Sequence, residues 1–229
     1  MPERVFRGFP LFPLGIVALP SEHVPLHIFE DRYRRMIEQC LSAEPGSLQR
    51  EFGIVWLSDE ELKGIGCACE VERVLERLED GRLNILALGT RPFRLLERQD
   101  QLPYPAGVVE FLDDEAEDQA APSELTAPSE PATPEVDGAD TRARELYREL
   151  VEQATDRQLS ADELAAMDAY EMAATVEFGI EAKQELLELR SESARLRLLA
   201  LLLRTALDRL ELIDRAQTRA ASNGKVRFG

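Results

Sequence analysis

The stretch Phe9-Pro10-Leu11-Phe12-Pro13-Leu14 constrains the fold of this chain more than any other. It is apolar enough to be buried, but its two prolines forbid a helix interior, so it reads as a proline-punctuated opening strand. A second extended piece, Pro25-Leu26-His27-Ile28-Phe29, then runs straight into Glu30-Asp31-Arg32-Tyr33, the start of a helix. Neither piece carries catalytic machinery.

The pattern after this opening is mostly that of strands. Residues 9–19, 52–57, 64–78, 83–89, 92–98 and 106–112 are the strand candidates, with Asp80-Gly81 as the clearest turn between them. In residues 64–78, Cys67, Cys69 and Val71 share a face, after which the apolar phase slips to Val74 and Leu75; this predicts a bulge. Leu83, Ile85 and Ala87 alternate with Asn84, Leu86 and Leu88, a pattern expected of a strand covered on both faces. One helix interrupts the strands, from Glu30 to about Ala43, with Tyr33, Met36, Ile37, Cys40 and Leu41 at helical spacing. Six short strands and one helix point to a small closed or nearly closed β-barrel, and with the helices further on to the α+β class.

From Asp140 onward the spacing is helical. A first helix is expected to about Ala154. Ser160-Ala161-Asp162-Glu163 has the capping-box form and opens a second helix, predicted to continue through Met167, Tyr170 or Glu171, and Ala174. A short helix near Glu181–Leu189 and a long one over about Glu192–Thr218 follow. Between the strands and these helices lies different material. Residues 99–141 hold twelve of the 44 acidic residues and no Lys or Arg, and so carry most of the net charge of −17. Residues 113–139, with four prolines and almost no large apolar residue, read as a flexible acidic insertion, because they cannot bury enough surface to offset their ordering entropy. The expected organisation is a β-barrel over 1–112, the insertion over 113–139, a helical bundle over 140–220 and a frayed tail over 221–229.

The charge balance excludes little in the strand and helix regions, which are close to neutral, but no basic stripe with interleaved aromatics appears. Nucleic acid is therefore not an expected partner. The longest unbroken apolar run, Leu198–Leu203, is too short to cross a bilayer. The three cysteines (Cys40, Cys67, Cys69) and an N-terminus without a signal-like apolar run predict a cytoplasmic, reducing setting.

Candidate chemistry is sparse. Cys67 and Cys69 on one strand face would stand about 7 Å apart, but a structural zinc wants four ligands and only Cys40 offers a third, so buried reduced thiols are expected and no metal. His23 and His27, separated by Pro25, would lie about 13 Å apart in an extended chain, too far to share a metal. There is no phosphate-binding Gly-x-x-x-x-Gly-Lys loop and no Gly-x-Ser-x-Gly elbow. No cofactor, catalytic residue or enzymatic activity is expected. Glu30 at the helix start favours the positive end of the helix dipole, and a pair with Arg91 or Arg94 would fix it against the barrel.

The ordered set Phe9–Leu14, Pro20, Pro25–Tyr33, Phe52-Gly53-Ile54, Gly66–Val71, Asp80-Gly81-Arg82, Gly89-x-Arg91-x-Phe93-Arg94 and Tyr104-x-Ala106-x-Val108-x-Glu110 resembles the N-terminal, substrate-binding domain of Lon proteases. Lys183–Glu188 and Arg195-Leu196 continue the resemblance, which also extends distantly to the Lon-type domain of cereblon. It implies a PUA-like pseudo-barrel followed by a helical bundle, and recognition of unfolded or exposed apolar protein segments, without the ATPase or protease domains. An adaptor or quality-control role and homo-oligomerisation are further expectations. A groove between barrel and helices is the expected surface, with Pro25, Leu26, Phe29, Tyr33 and Trp56 as candidate contacts. The alternative reading is a PUA-related barrel that binds a small molecule or RNA.

Overall fold

A computed structural model describes residues 5–59, 61–115, 136–155 and 157–223. Most of the acidic insertion expected over 113–139, and the last six residues of the expected tail, lie outside these described residues. The chain forms two compact units. The first takes residues 1–120 and 168–192, the second residues 121–167 and 193–229.

The first unit is built on seven strands: β1 (Val5–Leu14), β2 (His23–Ile28), β3 (Glu51–Ser58), β4 (Glu61–Leu62), β5 (Ile65–Arg77), β6 (Leu83–Gln99) and β7 (Ala106–Phe111). Five of them close a ring. β1 pairs antiparallel with β7, β7 with β6, β6 with β5 and β5 with β3; a parallel seam between β3 and β1 completes it. β2 adds to β6, and β4 to β3.

The prolines of β1 sit where the strand changes partner. Residues Val5–Pro10 pair with β7, and Leu11–Leu14 pair with β3. Pro13 thus lies where only one edge of β1 is paired, and Leu11, just past Pro10, donates its N–H to the Pro105 carbonyl at 2.8 Å. A missing donor at such a handover costs less than in a strand paired along both edges. Pro92 shows the same logic in β6. The sequence reads residues 83–89 and 92–98 as two strands, whereas one 17-residue strand runs through both. Its first half lies between β5 and β2; at Pro92 β2 gives way to β7, β5 pairing ends at Arg94, and the Pro92 carbonyl still accepts from Leu112 N at 3.1 Å.

The expected slip in β5 is present: its register against β6 shifts between Ala68 and Cys69, between Val71 and Arg73, and between Val74 and Glu76. In β6, Leu83, Ile85 and Ala87 are buried, while Asn84, Leu86 and Leu88 are half-buried rather than covered.

The barrel interior is closed by aromatic packing. Phe9, Leu11, Val55, Ala68, Phe93, Val109 and Phe111 form one core. The Phe9 ring stands edge-on to both Phe93 and Phe111, with centroids 5.5 Å apart in each case. The Phe93 ring lies over two glycines: a Cβ on Gly53 would fall 2.5 Å from its Cζ, and one on Gly66 2.8 Å from the same atom. Glycine is required at both places by this close approach.

Helix α1 (Asp31–Ser42) packs against β5 and buries Tyr33, Met36, Ile37 and Cys40. Phe12, the next residue after Leu11, packs on Tyr33 with centroids 4.1 Å apart and the rings tilted by 32°. Arg34 Nη1 donates to the Asp80 carbonyl at 2.7 Å and ties α1 to the β5–β6 turn.

The remaining helices are α2 (Val136–Ala154), α3 (Ala161–Ala166), α4 (Ala169–Ala173), α5 (Ile180–Glu188) and α6 (Glu192–Asn223). The Ser160 capping box forms as expected, but the helix stops at Met167 instead of running to Ala174. The reason is a second capping box: the Asp168 side chain accepts from Glu171 N, and the Glu171 carboxylate accepts from Asp168 N at 2.9 Å, which starts α4 afresh. That break is also a boundary between units, since residues 168–192, with α4 and α5, group with the sheet. There, Lys183 Nζ pairs with Glu22 at 2.5 Å and Gln184 Nε2 donates to the Ile65 carbonyl at 3.2 Å. Within the second unit, Arg144 of α2 donates to the carbonyls of Leu164 and Met167 and so satisfies the free end of α3.

Candidate functional site: an apolar groove beside the barrel

A groove of about 620 Å³ runs along the outer face of the barrel. Its length follows the end of β1 and the residues just after it, Phe12 to Ile16. One wall is the end of β2 and the start of α1, Pro25 to Tyr33; the other is the β3–β4 hairpin, through Leu57 and Leu62. Arg98 and Pro105 complete the lining. The volume falls in the range of ordinary ligand clefts.

The groove is unusual in what it leaves in water. Phe29 is 60% exposed, and Leu57 and Ile16 are exposed beside it. Phe29 is nevertheless held in place. Its ring stacks on His27 at 5.9 Å and 22°. His27 Nδ1 lies 2.6 Å from Asn84 Oδ1, and Asn84 Nδ2 in turn donates to Glu76 at 2.8 Å. Because Glu76 takes the amide N–H, the amide oxygen faces His27, whose Nδ1–H must donate to it. An exposed phenyl ring therefore rests on an imidazole whose orientation is fixed from two strands.

The charged groups of the groove are one pair and one single. Glu30 and Arg32 bond to each other at 2.8 Å, and the Arg32 guanidinium also lies 4.6 Å from the Tyr33 ring centre. Burial pushes the Tyr33 hydroxyl above its ordinary pKa, with Arg32 opposing the shift. Arg98 makes no ion pair among the described residues.

Of the five contacts expected from sequence, Pro25, Leu26, Phe29 and Tyr33 all line this groove. They differ in kind: Phe29 is exposed, Tyr33 is a buried part of its floor, and Leu26 is intermediate. Trp56 is not in the lining; its ring lies under Nζ of Lys63, the residue after β4, at 5.5 Å. None of the lining residues comes from helices α2–α6, so the groove borders α1 alone.

The ion pair expected for Glu30 is not formed. Glu30 binds Arg32 two residues away, while Arg91 pairs with Glu51 at 2.7 Å and Arg94 with Glu110 at 3.3 Å. The cause is register. Arg91 sits opposite Ala68, which brings it to the start of β3, and Arg94 sits opposite Glu110 on β7. The Glu51 carboxylate, nearly buried, also accepts from Thr90 Oγ1 at 2.9 Å, and Arg91 covers Phe111 at 3.9 Å. The sequence had no signal for Glu51, an isolated acid at a strand start.

Elsewhere the polar groups serve the fold. Cys40, Cys67 and Cys69 are buried free thiols. Burial raises Cys40 to about 11 and Cys67 well above its ordinary value. Among the described residues no group of three His, Cys, Asp or Glu side chains is placed to hold a metal ion. His23 pairs with Glu72 at 3.2 Å, on the exposed face of β2 like His27. Asp80 and Glu163 are held below the usual carboxylate range by the backbone N–H groups of Arg82 and Ser160, in a turn and a helix cap. No described helix is long and apolar enough to cross a membrane.

These features, a closed barrel with a groove beside it and helices after it, define an α+β domain of a known kind. Residues 8–205 match the sequence model of the ATP-dependent protease La (LON) substrate-binding domain, and the chain belongs to that family. The matched domain is the substrate-binding one, not the catalytic one. Lon protease 2 of Herpetosiphon aurantiacus is 26% identical over 207 residues, which are 89% of this chain but 24% of that protein; the chain thus spans about a quarter of its relative's length. Among solved structures, the Lon N-terminal domain protein of Xanthomonas campestris has a TM-score of 0.54 at 23% identity, over 82% of this chain and 94% of that one. The N-terminal domain of the Mycobacterium avium complex Lon protease has 0.58 at 18%, over 86% and 97%. At these identities both support the fold.

Proposed function

We propose that this chain is a non-catalytic recognition module that holds exposed apolar segments of proteins in the groove between β1, the β2–α1 corner and the β3–β4 hairpin. The observation that carries this reading is Phe29, an aromatic ring 60% exposed yet held by the His27–Asn84–Glu76 chain at the mouth of an apolar groove. Phe29 is not alone: Ile16 and Leu57, also exposed, line the same groove, and an exposed apolar patch of this kind marks an interaction site. Family membership supports the general kind of partner, a protein substrate. In this reading Pro25, Leu26, Phe29 and Tyr33 form the binding surface and Trp56 does not. An adaptor role, the PUA-like type of the barrel and a cytoplasmic setting belong to the same proposal; the five-stranded closure supports the second and the three free thiols the third. The filled barrel interior disfavours the alternative of a small molecule held inside it, and the lack of a basic stripe with interleaved aromatics in the sequence disfavours RNA.

Titrating a labelled, permanently unfolded protein into the full chain tests the proposal by anisotropy. Burying a whole Phe side chain is worth about 1.5–3 kcal/mol, so covering the exposed part of Phe29 contributes about 1–2 kcal/mol. Phe29→Ala should therefore weaken binding about 5- to 30-fold. No binding by the intact chain, or equal binding by the variant, would remove the groove from consideration.

A further inference from the structure

We propose that the groove prefers apolar segments that carry an acidic side chain at one end, and that Arg98 is the residue that reads this carboxylate. The inference rests on the peptide-binding reading above and adds to it the chemistry of the segment.

The groove is electrostatically asymmetric. At the β2–α1 corner the charges cancel, because Glu30 and Arg32 are committed to one another and Arg32 is further engaged by the Tyr33 ring. Arg98 is exposed and makes no ion pair among the described residues. Among the described residues it is thus the one charge of the groove's lining without an ion-pair partner, in a chain whose overall charge is strongly negative.

The asymmetry has a direction. Arg98 pairs in register with Gly107, two residues after Pro105, and the Pro105 carbonyl accepts from Leu11 N. This places the charge near the Leu11 end of β1. Two of the exposed apolar side chains, Ile16 and Leu57, are at the other end, where Leu14 pairs with Trp56 and the next residue, Leu57, with Leu62. Three strand residues separate the ends, about 10 Å. An occupant lying along β1 thus meets an apolar end and a cationic end, within the span of three or four of its own residues.

The same neighbourhood selects the source of the carboxylate. Sites that capture a chain terminus use a nest of backbone N–H groups. Near Arg98 the groove offers Pro105, which has no N–H to give, and the β1 wall is interrupted by a second proline, Pro13. A side-chain carboxylate needs only the guanidinium fork. The commitment is therefore to Asp or Glu within the segment. Main-chain pairing is not the mode of attachment at the β2 wall, because Pro25 interrupts the donors of that strand.

The test uses two end-blocked twelve-residue peptides of Leu, Phe and Ser that differ only by one Glu or Gln near one end. Their affinities for the full chain are compared by anisotropy at low ionic strength. The Glu peptide should bind about threefold tighter, a ratio typical of one exposed charge pair, and salt should shrink the ratio. The ratio should fall to about one in Arg98→Gln and invert in Arg98→Glu. Arg73→Gln, which removes an exposed strand arginine outside the groove, should keep it. Thermal unfolding establishes that each variant is folded. A ratio that survives Arg98→Gln overturns the proposal, as does a Gln peptide that gains the same factor from an unblocked C-terminus. If neither peptide binds the intact chain, the peptide-binding reading itself falls, which is a different result from a lost ratio.

Discussion

Replacing Gly53 by alanine tests whether the barrel interior is as full as its aromatic packing implies. The new Cβ would lie 2.5 and 2.6 Å from Phe93 Cζ and Cε1, and 3.0 Å from Phe9 Cε1. Phe93 is completely buried and cannot swing aside, because Phe9 stands against it and Phe111 against Phe9. Over-packing of this kind costs about 1–3 kcal/mol. Alanine recovers about 0.5–1 kcal/mol by being less flexible than glycine inside a strand. The net expectation is a loss of about 1–2 kcal/mol. The single tryptophan, Trp56, lies on the same strand, so its fluorescence during urea unfolding reports on this unit directly. Combined with Phe93→Leu, which shortens the obstructing ring, the loss should be less than the sum of the two, with a coupling of about 1 kcal/mol. An unchanged urea midpoint in Gly53→Ala would mean that the interior has room. A ligand could then be held inside the barrel as well as outside it.

Two further perturbations probe the fold around the groove. The Cys40 thiol is raised by burial to about 11, so the unfolded chain loses its proton first as pH rises past 9. Stability from this group is complete below pH 9 and is lost as pH rises towards 11, by up to about 2.7 kcal/mol for two pH units. Melting temperature should therefore fall over that window, and Cys40→Ala should flatten the fall; a profile equally steep without the thiol contradicts the assignment. Lys183→Met should destabilise by about 2–4 kcal/mol, because it leaves the Glu22 carboxylate poorly solvated without its partner. Glu22→Gln with Lys183→Met should recover much of that loss in urea unfolding, and failure to recover would mean the pair is not what holds α5.

The sequence made the elements legible wherever one periodicity ruled. The α1 face of Tyr33, Met36, Ile37 and Cys40, the bulged β5 and the Ser160 capping box all follow from local spacing, and each is found where the spacing puts it. What it could not show depends on which edges are paired. Pro92 reads locally as a break, yet it lies where β6 exchanges β2 for β7 and the strand continues. The partners of Glu30, Arg91 and Arg94 are set by strand register, to which pairing by residue type is blind. Phe29 was readable as apolar and near the helix start, but not as exposed, because its environment comes from His27 and Asn84 on two strands 57 residues apart in sequence. Arg98 carried no sequence signal at all; its role emerges only from the absence of an ion-pair partner among the described residues.

The central claim is that apolar protein segments bind along β1 beneath Phe29. It is tested most directly by a peptide bearing a photo-reactive phenylalanine analogue, cross-linked to the full chain and mapped by mass spectrometry. Adducts should concentrate on the β2–α1 corner and the β3–β4 hairpin, at Leu26, Phe29 and Leu57, and should be lost when unlabelled peptide competes. Adducts spread over helices α2–α6 instead, or a pattern that excess competitor leaves unchanged, would contradict the claim.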